Sequence, residues 1–414
     1  MKNLVILGAG TSGTMMANHL VHKLPKDQWK ITIVDQYKTH YYQPGFLFLP
    51  FDIYKSKDVI KKGKKFIPKG VRYVNQKIEE IKADKNQVQL EHENLDYDIL
   101  IIATGTKIAP EEIEGMKGEL WHKDIFDFYT YEGAKALRNK LREWEGGKLV
   151  VHITEMPIKC PVAPLEFAFL ADSYFVNKGM RDKVEIEFVT PLDGAFTKPK
   201  ATEALHYLLE EKGIKEVTDF NIERIDNESK KMIDYSGKEV DFDLLVTVPT
   251  NLGDAVIERS GLGDDMNFVP TNKGSLQTKA HENIFAIGDA TNLPASKAGS
   301  VAHFEAEILT ENILRYIAGE ELKEEFDGHA NCFIETGHGK ALLIDFNYTH
   351  EPVEGTFPFP GVGPLNLLKE SRMNHMGKLA FRWIYWNMLI KGVHIPFVSA
   401  TMSKKGKHFE KVEN

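Results

Sequence analysis

The chain has 414 residues, enough for two or three domains with substantial cores. Apolar content is 42% and charged content 27%, the proportions of a folded protein, and the net charge of −8 excludes a broadly basic nucleic-acid surface. Only two cysteines occur, Cys160 and Cys332, so neither a disulfide framework nor a cysteine-rich metal site is expected.

A buried strand is predicted at once, over 3–7, which leaves no room for a cleavable signal peptide. No run of about 18 uncharged apolar residues appears, so no membrane-spanning helix is expected. The first strand leads into GAGTSG and a helix. Gly8, Gly10 and Gly13 supply the tight turn, the close backbone approach and the helix–strand packing of a dinucleotide fingerprint. The helix N-terminus offers free N–H groups to a pyrophosphate. A second strand, ITIVD, ends on Asp35 at the spacing of a ribose ligand. A third, YDILIIATGT, ends on Ala103, Thr104 and Gly105.

The next strand, LVVHI at 149–153, stands where a second fingerprint would receive another nucleotide. Instead it runs into TEMPIKCPVAP. Pro157, Pro161 and Pro164 each remove a backbone donor that a phosphate cradle needs. Strands are predicted again at 185–191 and 243–251, so the fold is retained while the second nucleotide site is degenerate. A further strand, NIFAIGDATNLP, ends on Gly288 and Asp289, followed by SKAGSVAHFEA with Lys297. Cys332 lies in NCFIETGHGKALLIDFNY.

Taken in this order, the fingerprint, ATG and GD motifs resemble the two-dinucleotide-domain flavoprotein disulfide reductase superfamily. The PIKCPVAPLEF and late-cysteine segments resemble sulfide:quinone oxidoreductases and their sulfide dehydrogenase relatives. The likeness spans essentially the whole chain. It implies an α/β fold of two Rossmann-like domains plus a C-terminal membrane-binding region. The expected FAD-binding domain is discontinuous, 1–108 and 250–325. A second Rossmann-like domain covers 109–249, and a C-terminal quinone and membrane region covers 326–414. The likeness further implies FAD as cofactor, held by Gly8, Gly10, Gly13, Asp35, Thr104, Gly105, Gly288 and Asp289, with Lys297 approaching the flavin or quinone. Lys297 also reads as a plain loop lysine. No metal is expected.

The same resemblance makes Cys160 the thiol beside the flavin and Cys332 the persulfide carrier, with sulfide as substrate and ubiquinone or menaquinone as acceptor. Glu166 matches a family glutamate that relays protons; a first-turn helix carboxylate favoured by the dipole is the other reading. Some relatives carry a third cysteine near residue 124, where this chain has WHKDIFDF. A covalent flavin link through that cysteine is therefore impossible here.

Quinone-binding aromatics are expected at Phe346, then Phe357 or Phe359; ordinary core packing is the alternative for each. The segment 377–397 holds Leu379, Phe381, Trp383, Ile384, Trp386, Leu389 and Ile390 with Lys378, Arg382 and Lys391 interspersed. It reads as an interfacial amphipathic helix, or as a helix packed on the protein's own core or on a second copy. A basic tail follows at Lys404, Lys405, Lys407 and Lys411, suited to anionic lipid. The expectation is a peripheral, monotopic membrane enzyme, for which a homo-oligomer would be reasonable. The rival readings are a type II NADH:quinone oxidoreductase and a noncatalytic flavoprotein that senses persulfides.

Overall fold

The computed structural model describes residues 1–409. Lys411 of the basic tail lies outside them. The chain opens with β1 (Lys2–Leu7), α1 (Thr11–Leu20), β2 (Trp29–Val34), β3 (Val71–Val74) and β4 (Ile99–Ile102). Then come β5 (Ile125–Phe126), β6 (Gly147–Ile153), α2 (Ala163–Asn177), β7 (Val184–Val189), β8 (Lys215–Val217) and β9 (Leu244–Val248). The chain returns through β10 (Ile284–Ala286) and α3 (Gly299–Ala318). It closes with two hairpins, β11 (Ala330–Gly337) with β12 (Lys340–Phe346) and β13 (Gly355–Phe359) with β14 (Gly363–Leu367), and the helix α4 (Arg372–Asn387).

Two five-stranded parallel sheets result, ordered β10-β4-β1-β2-β3 and β5-β9-β6-β7-β8. Their central strands are apolar on both faces, as a sheet covered on both sides requires. The strand 284–286 pairs with β4, so the first sheet is completed by chain far downstream. Register sets which residues share the sheet's C-terminal edge. Leu7 lies opposite both Val34 and Ile102, which brings Gly8, Asp35 and Ala103 together there.

The hairpin β11–β12 packs on α2, the helix that follows Cys160. That contact carries Cys332 toward the turn after β6. The helix α4 then lies across this hairpin and β14.

The C-terminal helix departs from the expected segment. It spans 372–387, a short turn follows at Leu389–Lys391, and much of its apolar side faces inward. Trp386 stacks on Phe66 at 5.2 Å and donates to the Asp58 carbonyl at 3.1 Å. Leu389 and Ile390 are fully buried, and Asn18 on α1 donates to the Ile390 carbonyl at 3.1 Å. Each such side chain contributes about 1.5–3 kcal/mol by leaving water. Packing on the first domain thus claims residues that the amphipathic reading offers to lipid. The outward stripe is Trp383 of the expected segment joined by Met373 and Met376 from before it. Lys407 also departs from the expected basic tail. Its ammonium is buried against Asp345 at 3.0 Å, whereas Lys404 and Lys405 are exposed. Among the described residues, no helix is long and apolar enough to cross a membrane.

Candidate active site

At the first βα turn, Gly8 adopts φ +98°, and a Cβ there would stand 2.3 Å from the Ala103 carbonyl oxygen. A Cβ on Gly13 would meet the Gly8 carbonyl oxygen at 1.9 Å. Neither position tolerates a side chain. Gly10 differs, with nothing within 4 Å of its absent Cβ, so its backbone faces open space. No side chain caps α1, which leaves its first N–H groups for a ligand. Asp35 accepts the Ala9 N–H and the Tyr37 N–H, each at 2.7 Å. It therefore shapes the turn itself, with lone pairs left for a ribose. Thr104 Oγ1 is buried and unpartnered beside this turn. Gly105 and Gly288 both take φ +70°. The Gly288 N–H is held by Glu305 Oε2 at 2.6 Å, a carboxyl pushed by burial up to about 7. Burial also raises the Asp289 carboxyl, opposed by Lys297 and Lys159. An uncapped helix, an open Gly10 and an orphaned Thr104 hydroxyl fit a dinucleotide.

Lys297 is turned inward. Its ammonium donates to the Asp289 and Thr291 carbonyls at 3.0 and 2.5 Å and lies 4.0 Å over the Phe268 ring. Its backbone carbonyl has a second task, accepting the Cys160 N–H at 2.7 Å.

The turn after β6 is built around that bond. Cys160 has φ +49°, a left-handed conformation uncommon outside glycine. Its carbonyl accepts the Ala163 N–H at 2.9 Å and the Tyr129 hydroxyl at 3.1 Å. Surroundings over-determine a strained residue, as at sites where strain serves chemistry. Lys159 next to it is tied to Asn251 Oδ1 through its N–H and to Gln43 Oε1 through its ammonium.

Cys160 and Cys332 stand as free thiols, both partly accessible. Each feels the same two charged groups. Burial pushes the Cys332 thiol up to about 12, with Lys378 opposing. Burial and then Glu166 raise Cys160 further, Lys378 lowers it, and the Cys332 charge raises it. Glu166 is fully buried on α2. One of its oxygens accepts the Lys378 ammonium and the Glu335 N–H, the latter at 2.7 Å; the other has no partner. Burial raises the Glu166 carboxyl against the pull of Lys378. Lys378 also donates to the Phe333 carbonyl at 2.8 Å. Burial works against its charge, but Glu166, Cys160 and Glu335 outweigh this and raise it. Glu335 is buried in turn and meets His375 Nδ1 at 2.9 Å.

The structure therefore brings Cys160, Cys332 and Glu166 together. It adds Lys378, Glu335, His375 and Tyr129, which sequence reasoning missed as site residues. In the sequence Lys378 reads as one charge on a helix face; Glu335 and His375 carry no motif. Of the quinone candidates, Phe346 is buried in the core with Lys198 5.6 Å above its ring. Phe359 is exposed on the last hairpin and touches Phe397, ring centroids 5.3 Å apart. Among the described residues, no ring contact joins Phe346 to Phe357 or Phe359.

Two Rossmann-like sheets, a fingerprint on one and a thiol pair at the other, define a two-nucleotide-fold flavoprotein oxidoreductase. The pyridine nucleotide-disulphide oxidoreductase family model matches residues 2–156. The mitochondrial sulfide:quinone oxidoreductase of Dictyostelium discoideum is 30% identical over 396 residues, covering 94% of this chain and 86% of that protein. The Mus musculus mitochondrial sulfide:quinone oxidoreductase is 26% identical over 397 residues, covering 94% and 86%. The fold matches the solved sulfide:quinone oxidoreductase of Aquifex aeolicus with a TM-score of 0.77, at 22% identity over 95% of this chain and 92% of that one. The chain belongs to the sulfide:quinone oxidoreductase family, and it is an FAD-dependent oxidoreductase.

Proposed function

We propose that the chain oxidises sulfide at Cys160 and Cys332 and that a membrane quinone receives the electron pair. The observation that carries this reading is Cys160, held left-handed at the turn where a second phosphate cradle would lie, just before the helix whose Glu166 pairs with Lys378 and accepts the Glu335 N–H of the strand that bears Cys332. Working from a Cys160–Cys332 disulfide, hydrosulfide attacks one sulfur. The new S–S bond makes a persulfide, the old one breaks, and its electron pair leaves on the other cysteine as thiolate. We assign the persulfide to Cys332 and the thiolate to Cys160. Lys378 stabilises that thiolate, and Glu166 takes up the hydrosulfide proton. FAD, when bound, supplies a two-electron acceptor for the thiols and a two-electron donor for quinone. Gly8, Gly10, Gly13, Asp35, Thr104, Gly105, Gly288 and Asp289 would hold it, while Lys297 positions the Cys160 backbone.

We keep the division into 1–108 with 250–325, 109–249 and 326–414 as a proposal, which the two sheets and the C-terminal hairpins support. For the membrane contact we propose the exposed apolar surface of Met373, Met376 and Trp383 on α4, continued by Phe359, Val362 and Phe397, with Lys404 and Lys405 beyond it. Asn374 binds the Asn366 N–H at 3.1 Å and so joins helix and hairpin. Phe357 and Phe359 are our quinone contacts; Phe346, the first expectation, is buried and we assign it to the core. Trp383→Ser should weaken sedimentation with anionic vesicles several-fold and leave the melting temperature unchanged. An unchanged vesicle affinity would exclude this surface as the membrane contact.

The deciding experiment is anaerobic. Sulfide should bleach the flavin absorbance of the purified protein, and a short-chain quinone should restore it. Bleaching by NADH and not by sulfide would overturn the reading in favour of an NADH:quinone oxidoreductase.

A further inference from the structure

One buried carboxyl stands outside the chemistry described so far. Glu305 lies in the second turn of α3 and is enclosed by the protein. Its Oε2 accepts the Gly288 N–H at 2.6 Å. Gly288 opens the short helical turn Gly288–Ala290, which carries Asp289. Gly288 is left-handed, and a Cβ there would run into the Ser12 hydroxyl on α1. The turn therefore sits directly against the uncapped start of α1. Lys297 holds the other end of the same turn, since its ammonium donates to the Asp289 and Thr291 carbonyls. The Lys297 carbonyl in turn accepts the Cys160 N–H. One line of bonds thus runs from Glu305 through 288–291 to the thiol turn.

A neutral amide would satisfy the Gly288 N–H. A carboxyl is the costlier choice, because its charged form is penalised by burial. Burial pushes the Glu305 carboxyl up to about 7; the Gly288 N–H and Lys297 oppose this, and Asp289 adds to it. Tyr348, from the segment after β12, is a further titratable group that feels Glu305. Glu305 and Lys297 also line a cavity of about 10 Å³, the space of one water.

We propose that Glu305 is a positioning residue for the cofactor: ionised, it fixes the Gly288–Ala290 turn against α1 and holds FAD more tightly than when protonated. The inference rests on assigning Gly288 and Asp289 to FAD and is independent of the sulfide reading. Its physical basis is the strength of the bond. An N–H donor bound to a carboxylate is held about twice as strongly as one bound to a neutral acceptor. Loss of the charge slackens the start of the turn, while Lys297 keeps its end.

The test is FAD release from the holoprotein, followed by the rise of free-flavin fluorescence. Wild-type release should quicken several-fold as pH falls through about 7. Glu305→Gln keeps an acceptor for the Gly288 N–H but lacks the charge, so it should show the fast rate throughout and no step. Glu305→Ala lacks the acceptor as well and should release FAD about tenfold faster than wild type at alkaline pH. Far-ultraviolet circular dichroism of each variant separates lost folding from lost grip. A pH step in Glu305→Gln as large as the parent's would overturn the proposal, and so would wild-type release in both variants. Unchanged release in Asp289→Ala would instead overturn the assignment of this turn to FAD.

Discussion

The two βα turns, residues 8–10 after β1 and 154–162 after β6, occupy equivalent places on two parallel sheets yet do opposite work. The first is short, glycine-rich and directly continuous with α1. Its glycines remove side chains so that backbone N–H groups face outward. The second is long and proline-rich. Two backbone bonds and the Tyr129 hydroxyl hold one non-glycine residue, Cys160, left-handed. One turn presents backbone suited to an anion; the other presents a side chain that we propose meets a nucleophile. A single helix serves both. Tyr385 of α4 bonds Thr11 at 2.7 Å and His40 at 2.7 Å beside the first turn, while Lys378, two turns earlier, pairs with Glu166 on the helix that follows the second. On the proposed reading, one fold trades a nucleotide cradle for a redox site by changing what a turn offers, without moving a strand.

The contrast can be broken most severely at the second turn. Cys160→Ala and Cys332→Ala should each lower the rate of sulfide-driven bleaching by at least ~10³-fold with flavin content intact, as expected when a covalent participant is removed. Retained bleaching in either variant would mean that this turn is only scaffold.

Lys378→Met tests the shared helix. It leaves Glu166 buried without its counter-charge and should cost about 3–5 kcal/mol, read by denaturant melts. The pH dependence has a definite sign. Glu166 has a raised carboxyl in the folded state, so its protonated form supports folding at low pH and that support fades as pH rises through the folded pKa. Without Lys378 the carboxyl rises further. The stability gap between variant and parent should therefore widen toward alkaline pH and narrow toward acid.

At the first turn, Gly13→Ala drives a methyl into the Gly8 carbonyl and should cost about 3 kcal/mol, with flavin lost on purification. The thiol turn should keep its disulfide-forming capacity if the two turns are independent, measured by thiol titration of the apoprotein. The smallest expected effect is Tyr385→Phe. It removes one hydroxyl from the Thr11 and His40 contacts, about 1 kcal/mol. Flavin release, followed by the rise of free-flavin fluorescence, should quicken several-fold. No change would detach the first turn from α4.

Sequence by itself determined the dinucleotide fold, because GxGxxG, Asp35, ATG and GD are local demands on backbone geometry and each leaves a local mark. It likewise singled out Cys160 by its prolines and Cys332 by its setting. Only tertiary structure decided what surrounds them. Lys378, Glu335 and His375 are placed by contacts between α2, β11 and α4, and a charge pair between distant segments has no spacing to read. Period and composition showed that 377–397 was amphipathic but not which side met the protein. Packing on α1 and Phe66 took Trp386, Leu389 and Ile390 inward and left Met373, Met376 and Trp383 outside. Lys297 followed the same logic, because nearby carbonyls capture a buried ammonium that sequence alone cannot aim.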